Sequence, residues 1–163
     1  MNKGGLEGKD GAGRRFRDAL ACFATGVAVV TTRAGGEDIG ITVNSFASVS
    51  LEPPLVLWCL SLDSGLVKHF RKGTPFAVNF LSRAQRDLAV QFARPGENRF
   101  EGVPARAGKN GAPLLPGAAG ALECATVSVH SGGDHVIILG RVQRFETGKA
   151  PPLLFHRGRF RTF

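Results

Sequence analysis

The stretch from Gly40 to Ser61 constrains this chain more than any other, because two apolar strands enclose an unusual run of small polar residues. The strands are predicted to be joined by a loop that Pro53 and Pro54 close. A strand that only packs against a core needs few hydrogen-bonding side chains. Within nine positions this stretch has five of them: Thr42, Asn44, Ser45, Ser48 and Ser50. Such a surface suits a flat heterocycle that carries a phosphate, so the first hypothesis is a nucleotide cofactor lying on a β-barrel.

The rest of the chain also favours short strands. Helical spacing predicts only short helices, from Phe16 to about Gly26, from Ser64 to Lys72 and from Ala84 to Phe92. Most strands follow one another through short turns, so we expect antiparallel pairing and closure into a barrel. Apolar and β-branched runs predict strands over residues 27–33, 39–47, 55–61, 76–81, 121–130 and 135–145, with a last short strand or turn over 153–161.

Length and composition indicate one globular domain. We expect this domain over residues 14–163, after a disordered tail over residues 1–13. No apolar run reaches the length of a membrane span, and the start lacks the apolar centre of a signal peptide, so a cytoplasmic protein without a membrane partner is expected. A Rossmann fold is disfavoured, because no G-x-G-x-x-G motif follows the first strand. Three cysteines, an odd number in apolar contexts, predict reduced and buried thiols: Cys22, Cys59 and Cys124.

The net charge of +8 has two interpretations. One is a solvated basic surface that attracts a small anionic ligand, and the other is a nucleic-acid-binding barrel. The basic residues are spread along the chain, with no recognition helix and no aromatic RNA-binding signature. A phosphorylated cofactor explains the charge at least as well, so no nucleic-acid partner is expected.

Two further segments are candidates for ligand binding. Ser61 and Ser64 flank the start of the second predicted helix and Lys68 lies one turn into it, which is typical of a phosphate site, although Ser64 alone could simply cap that helix. His135 follows a tight turn at the start of a strand, where it could meet a ligand or be an ordinary hairpin residue. His130 could lie across that hairpin, but no third ligand has suitable spacing, so no metal is expected.

Near the C-terminus, Arg157 and Gly158 could contact an anion or belong to a solvated tail. Cys59 could contact a ligand through its backbone, without reacting.

Eight segments carry a pattern that extends over nearly the whole chain from Phe16 to Phe160. They are FATGVAVVTT (23–32), GITVNSFASVSLEPPLVLWCL (40–60), FAVNFL (76–81), QRDLAVQFA (85–93), RFEG (99–102), LEC (122–124), GGDHVIILGRV (132–142) and PLLFHRG (152–158). In this order and spacing they resemble the flavin reductase family, which has an FMN-binding split-barrel fold and supplies the reductase components of two-component flavin monooxygenases. The resemblance implies a mainly β, antiparallel, Greek-key-like split barrel with a few short flanking helices.

The resemblance also implies a homodimer with flavin bound near the subunit interface, and it assigns roles to residues. Those expected along the isoalloxazine ring are Asp38, Ile39, Gly40, Ile41, Thr42, Asn44 and Ser45. Those expected at the ribityl chain and phosphate are Cys59, Leu60, Ser61, Ser64 and Gly65, with Gln91 and Phe92 where the second long helix meets the flavin. Those linked to the nicotinamide are His135, Phe155, His156, Arg157 and Gly158.

The chain departs from the family pattern at two positions. Leu66 stands where the family often has Ser or Thr, which shifts phosphate binding towards Lys68 and backbone N–H groups. His156 stands where the family often has Tyr, so Phe155 or the imidazole would stack on the nicotinamide.

The sequence therefore predicts an NAD(P)H:flavin oxidoreductase that passes a hydride from NADH or NADPH to FMN or FAD. His135 would position the nicotinamide, and a separate monooxygenase would use the reduced flavin. Two alternatives stay open. One is a flavin-binding electron carrier of the same fold without fast NAD(P)H oxidation, and the other is a basic nucleic-acid-binding barrel.

Overall fold

The computed structural model of this chain describes residues 11–96 and 98–162. Two α-helices, α1 (Ala12–Leu20) and α2 (Arg86–Ala93), accompany short strands, and 3-10 turns cover Leu62–Ser64, Val67–His69 and Arg83–Gln85. The strands are β1 (Thr25–Gly26), β2 (Ala28–Ala34), β3 (Glu37–Val43), β4 (Ala47–Leu51), β5 (Pro54–Ser61), β6 (Pro75–Phe80), β7 (Arg106–Ala107), β8 (Pro113–Leu114), β9 (Gly120–Gly132), β10 (His135–Thr147), β11 (Leu154–His156) and β12 (Arg159–Arg161).

Seven of these strands form one antiparallel sheet in the order β3-β2-β6-β9-β10-β5-β4. Its two edge strands, β3 and β4, are consecutive in the chain and are joined by residues 44–46. The sheet therefore curls without closing, and the open seam lies at this short connection. The predicted antiparallel split β-barrel is confirmed. A smaller sheet, β1-β11-β12, lies beside the barrel and anchors the C-terminus.

The barrel interior is filled by alternate residues of the central strands. In β5 the side chains of Val56, Trp58 and Leu60 are buried, whereas those between them are partly exposed on the outer face. Trp58 packs edge-to-face on Phe70, with 4.8 Å between ring centroids, and Phe76 completes the aromatic cluster. A second apolar cluster, which includes Val29, Ala89, Phe92 and Leu153, packs α2 against the outside of the barrel.

Several predicted boundaries are wrong for local reasons. The first helix ends at Leu20, because Gly26 pairs with Leu154 in the small sheet. The predicted strand over residues 39–47 is broken at the seam, where β3 ends at Val43 and β4 begins at Ala47. The predicted helix from Ser64 to Lys72 is replaced by two 3-10 turns, since Gly65 adopts a left-handed conformation with φ of 68°.

The prediction for the thiols is also only partly right. Cys22 is exposed and Cys59 is half-buried, whereas Cys124 lies in the core. Burial raises the pKa of the Cys124 thiol to about 12. The predicted tail falls mostly outside the described residues, and α1 already begins at Ala12. Within the described part of the chain, no helix is both long and apolar enough to cross the membrane.

Candidate functional site

A groove of about 340 Å³ opens at the seam of the barrel. It lies where β3 and β6 end and where β2 begins, with the segment before β11 forming one side. Its walls are mostly apolar, as is usual for a pocket that takes a planar ligand. The lining residues are Phe23, Ala24, Thr25, Gly26, Val27, Ala28, Val43, Asn44, Phe46, Phe80, Leu81, Pro152 and Leu153.

Two polar side chains interrupt these apolar walls. The hydroxyl oxygen of Thr25 is buried and has no hydrogen-bond partner. An unpaired buried hydroxyl of this kind costs free energy. Asn44 is exposed at the seam, and its amide offers both donors and an acceptor to a heterocycle edge.

The hydroxyl groups beside Asn44 hold the seam together. The Thr42 hydroxyl donates a hydrogen bond to the Ala89 carbonyl of α2, with an oxygen–oxygen distance of 2.8 Å. The Ser45 hydroxyl donates to the Cys59 carbonyl at 3.1 Å and accepts from the Cys59 N–H at 2.9 Å. The three polar residues predicted along the isoalloxazine therefore have different roles in the structure. Thr42 and Ser45 attach the seam to α2 and to β5, and Asn44 lines the groove.

The predicted phosphate residues form a tight turn at the end of β5. The Ser64 hydroxyl donates to the Ser61 carbonyl at 2.7 Å and accepts from the Leu66 N–H at 3.2 Å, while the Ser61 hydroxyl accepts from the Asp63 N–H. Lys68 is exposed just beyond. Ser61 is two residues from Cys59, so the Ser45–Cys59 contact links this turn to the seam.

His135 lies beside the same turn. It pairs with Ser61 across β10 and β5, and the Leu62 N–H donates to the Asp134 carbonyl. Nδ1 of His135 lies 2.7 Å from an Asp134 carboxylate oxygen, and this hydrogen bond lowers the pKa of Asp134 below its ordinary value. The contact orients the ring and leaves Nε2 for another partner. Among the described residues, no group of three His, Cys, Asp or Glu side chains could hold a metal ion.

The C-terminal hairpin borders the groove from the other side. Phe155 pairs with Thr25 across β11 and β1, and its ring packs on Phe160 with 5.5 Å between centroids. The turn residues Arg157 and Gly158 both have positive φ, and the Arg157 N–H donates to the Ala21 carbonyl. The hairpin therefore places Phe155 beside Thr25 of the groove wall, and half-buried His156 is the next residue along the chain.

Other predicted residues do not reach the groove. Asp38 forms an ion pair with Arg33, with 2.6 Å between Nε and the carboxylate oxygen. Asp38 is five residues before Val43, which lines the groove, and this corresponds to about 16 Å of strand. Phe92 is fully buried, and Leu60 is 1% exposed in the core. The remaining residues of this set lie in β3 or in α2: Ile39, Gly40, Ile41 and Gln91.

Sequence reasoning missed the residues that line the groove from β1. Thr25 and Gly26 lie in the FATGV segment, which was used only as part of the family resemblance. The available signal was a threonine and a glycine that interrupt an otherwise apolar run. Phe46, which packs edge-to-face on Phe80 with 5.0 Å between centroids, was also missed, although it follows the polar residues directly.

Residues 20–163 match the family model described as flavin reductase like domain. The FMN reductase (NADH) SmoA of Agrobacterium fabrum is 43% identical over 150 residues, which cover 92% of this chain and 86% of that protein. The flavin-dependent monooxygenase reductase subunit HsaB of Mycobacterium tuberculosis is 36% identical over 148 residues, with coverage of 89% and 79%.

A solved structure extends the match to the fold. The NADH:FAD oxidoreductase SgcE6 of Streptomyces globisporus, in complex with NAD and FAD fragments, superposes with a TM-score of 0.91 at 38% identity and covers 100% of this chain and 97% of that chain. The chain spans about half, 48%, of a longer relative from Rhizobium meliloti to which it is 45% identical over 150 residues. The family model covers almost the whole domain, and the chain belongs to the flavin reductase like family.

Proposed function

We propose that this chain is an NADH-dependent flavin reductase that passes reduced flavin to a partner monooxygenase. The observation that carries the proposal is the groove of mostly apolar residues at the seam, with the exposed Asn44 amide at its rim. The names of the relatives support it, since they include an NADH-dependent FMN reductase and a monooxygenase reductase subunit. No comparable observation favours a nucleic-acid-binding barrel.

The residues present fit a flavin. The groove volume lies within the range of small-molecule sites, and its apolar walls suit the two faces of a tricyclic ring. The bound flavin supplies the hydride acceptor, and the reduced nicotinamide is the donor. Asn44 would hydrogen-bond to the polar edge of the ring, and the apolar walls would exclude water. The turn around Ser61 and Ser64, with Lys68, would hold the phosphate through charge and backbone N–H groups.

The test is an NADH and NADPH oxidation assay with FMN and with FAD, followed at the nicotinamide absorbance band. The proposal expects turnover that depends on added flavin. Absence of turnover with every pair of substrates would contradict it. Flavin that stays bound at one per chain, with only slow NADH oxidation, would instead favour the electron carrier. The assay also decides between FMN and FAD.

Replacing His135 by alanine is expected to raise the KM for NADH about tenfold and to leave the KM for flavin nearly unchanged. Asp134 orients the His135 ring, and the variant loses the one hydrogen bond that Nε2 would make to the nicotinamide. Steady-state kinetics with each substrate varied in turn measures both constants. His130→Ala is the matched control, since His130 is exposed on the neighbouring strand, where its ring forms a hydrogen bond with the Ser128 hydroxyl. Equal KM values for NADH in wild type and His135→Ala would remove His135 from the site.

A homodimer is the second part of the proposal. Phe16 and Leu20 are exposed on α1, and Leu51 at the end of β4 is 93% exposed. Apolar side chains grouped on one element are typical of a surface that a partner covers. We expect light scattering to give twice the chain mass, and the Phe16→Glu/Leu20→Glu variant to be largely monomeric. Arg14→Glu, on the same helix, should stay dimeric. A monomeric wild type at micromolar concentration would refute the homodimer.

The cytoplasmic location, the domain limits and the identity of the monooxygenase remain predictions. Pull-down of a monooxygenase by the tagged chain would support the partner only if NADH oxidation by the pair is coupled to oxygenation of a substrate.

A further inference from the structure

The loop that follows α2 is fastened to β3 by one arginine. Nη1 of Arg99 donates a hydrogen bond to the Gly40 carbonyl at 2.9 Å, and Nε donates to the Arg94 carbonyl, also at 2.9 Å. The Arg99 guanidinium thus connects two positions of the loop and also attaches the loop to β3. Partial burial lowers the pKa of Arg99 from its ordinary value. Arg99 begins the RFEG segment, to which the flavin site described above assigns no task.

Packing around Gly40 shows how closely the loop and strand fit. A Cβ atom at Gly40 would lie 2.5 Å from the Phe92 ring and 3.2 Å from the Phe100 ring. These two rings pack edge-to-face with 4.9 Å between centroids. The Gln91 amide donates to the carbonyls of Arg99 and Glu101 at 3.0 and 2.9 Å, so Gln91 holds the loop.

The position of β3 in the sheet explains why such a fastening matters. It is an edge strand, paired on one side only, by β2. An edge strand has backbone groups without a ladder partner and is held less firmly than a central strand. The Gly40 carbonyl is one of these groups, and Arg99 supplies its partner. Two residues further on, Thr42 is tied to α2, and two residues beyond that Asn44 faces the groove.

We propose that Arg99 is a positioning residue: by holding the Gly40 carbonyl it fixes the free edge of β3, so that Asn44 stays at the rim of the groove. The inference rests on the proposed function, because it assigns the flavin affinity of that site partly to a residue that does not line it. Arg99 is expected to act on the binding of flavin, because its two hydrogen bonds hold Gly40 of β3 and the loop after α2.

The experiment compares Arg99→Ala, Arg99→Lys and Arg94→Ala with the wild type. Arg94→Ala is the matched control, since it removes the same charge from the same loop, whereas only the Arg94 backbone takes part in the contact. The first readout is hydrogen exchange of the peptide covering residues 39–46 in the protein without flavin. The second is steady-state kinetics with flavin and NADH varied separately.

Arg99→Ala is expected to exchange β3 amides faster and to raise the flavin KM about tenfold, with kcat and the NADH KM within about twofold of wild type. Lysine has one ammonium in place of the planar fork, so Arg99→Lys should recover only part of the loss. Unchanged exchange in β3, or faster exchange with an unchanged flavin KM, would overturn the proposal. An Arg94→Ala variant as impaired as Arg99→Ala would overturn it too, by attributing the effect to charge.

The exchange readout needs no flavin, and it therefore separates the two hypotheses. A wild type that oxidises no NADH with either flavin would refute the proposed function. Faster exchange in Arg99→Ala would then show only that Arg99 holds β3, and the claim about flavin affinity would fall with the function.

Discussion

A Gly26→Phe variant is expected to fold normally and to lose flavin reduction by about a hundredfold or more, the loss expected when a binding contribution of about 3 kcal/mol disappears. Gly26 lines the groove, and a Cβ atom there would meet no other atom within 4 Å. Its φ is not in the left-handed region, so a side chain can be added without backbone strain. An aromatic ring at this position would occupy the space that the flavin needs. Flavin binding by fluorescence quenching and NADH oxidation would both report the loss.

Gly26→Ala is the control for this substitution. Its methyl group is too small to fill the groove, so this variant should keep flavin binding within about threefold of wild type, a difference below 1 kcal/mol. Thermal unfolding of both variants checks that β1 still pairs with β11. If Gly26→Phe folds like the wild type and reduces flavin equally well, the flavin lies elsewhere and the groove at the seam is not the site.

The seam is the point at which fold and proposed function meet. Both edge strands of the seven-stranded sheet reach the connection over residues 44–46, and this connection must turn sharply while keeping a polar group exposed. Ser45 makes the turn possible by satisfying the Cys59 backbone N–H and C=O with one hydroxyl. The polar residues that suggest a cofactor therefore also fix the seam of the split barrel against β5.

The strands that form the central sheet could be predicted because their signal is local. In β5 and in the first half of β10 buried and partly exposed residues alternate, and two glycines, Gly132 at the end of β9 and Gly133 in the turn, mark the hairpin to β10. Such patterns need no knowledge of the rest of the chain. The sequence showed two separate candidate segments, and it is the structure that pairs His135 with Ser61.

The errors arise where a distant contact decides the local conformation. The apolar residues after Leu20 continue a helical pattern, but Gly26 is held by Leu154, 128 positions later in the chain. The roles predicted for Gln91 and Asp38 beside the flavin stay predictions. Within the protein, the Gln91 amide holds the loop after α2, and Asp38 pairs with Arg33. Nothing in the spacing of these residues distinguishes a ligand contact from a contact within the protein.

The groove was missed because no segment forms it alone. Thr25 comes from the small sheet, Asn44 from the seam and Leu153 from the approach to β11. An unpaired buried hydroxyl such as that of Thr25 becomes visible only when all its neighbours are placed. The sequence could therefore predict the family and the fold, while the position of the groove within the barrel required three-dimensional information.

Substituting Gly140 by alanine is expected to destabilise the domain by about 2 kcal/mol, because an added methyl group overpacks the barrel core. The new Cβ atom would overlap Cζ of Phe76 and lie 2.9 Å from its Cε1. Phe76 is fully buried and packs against the rings of Trp58 and Phe70, so it has no open direction in which to move. Denaturant unfolding measures the change as a lower midpoint with an unaltered slope.

A double variant tests whether Phe76 is the cause. Phe76→Leu alone is expected to be destabilising, because it leaves a cavity, but in Gly140→Ala/Phe76→Leu the methyl group would fill part of that cavity. The double variant should therefore lose less unfolding free energy than the sum of the two single losses, by a favourable coupling of about 1 kcal/mol. Gly26→Ala, where the added methyl meets nothing, should change stability by less than about 0.5 kcal/mol. Strict additivity in the double variant would place the cost of Gly140→Ala in the strand backbone and would contradict the close contact between β10 and β6 across the core.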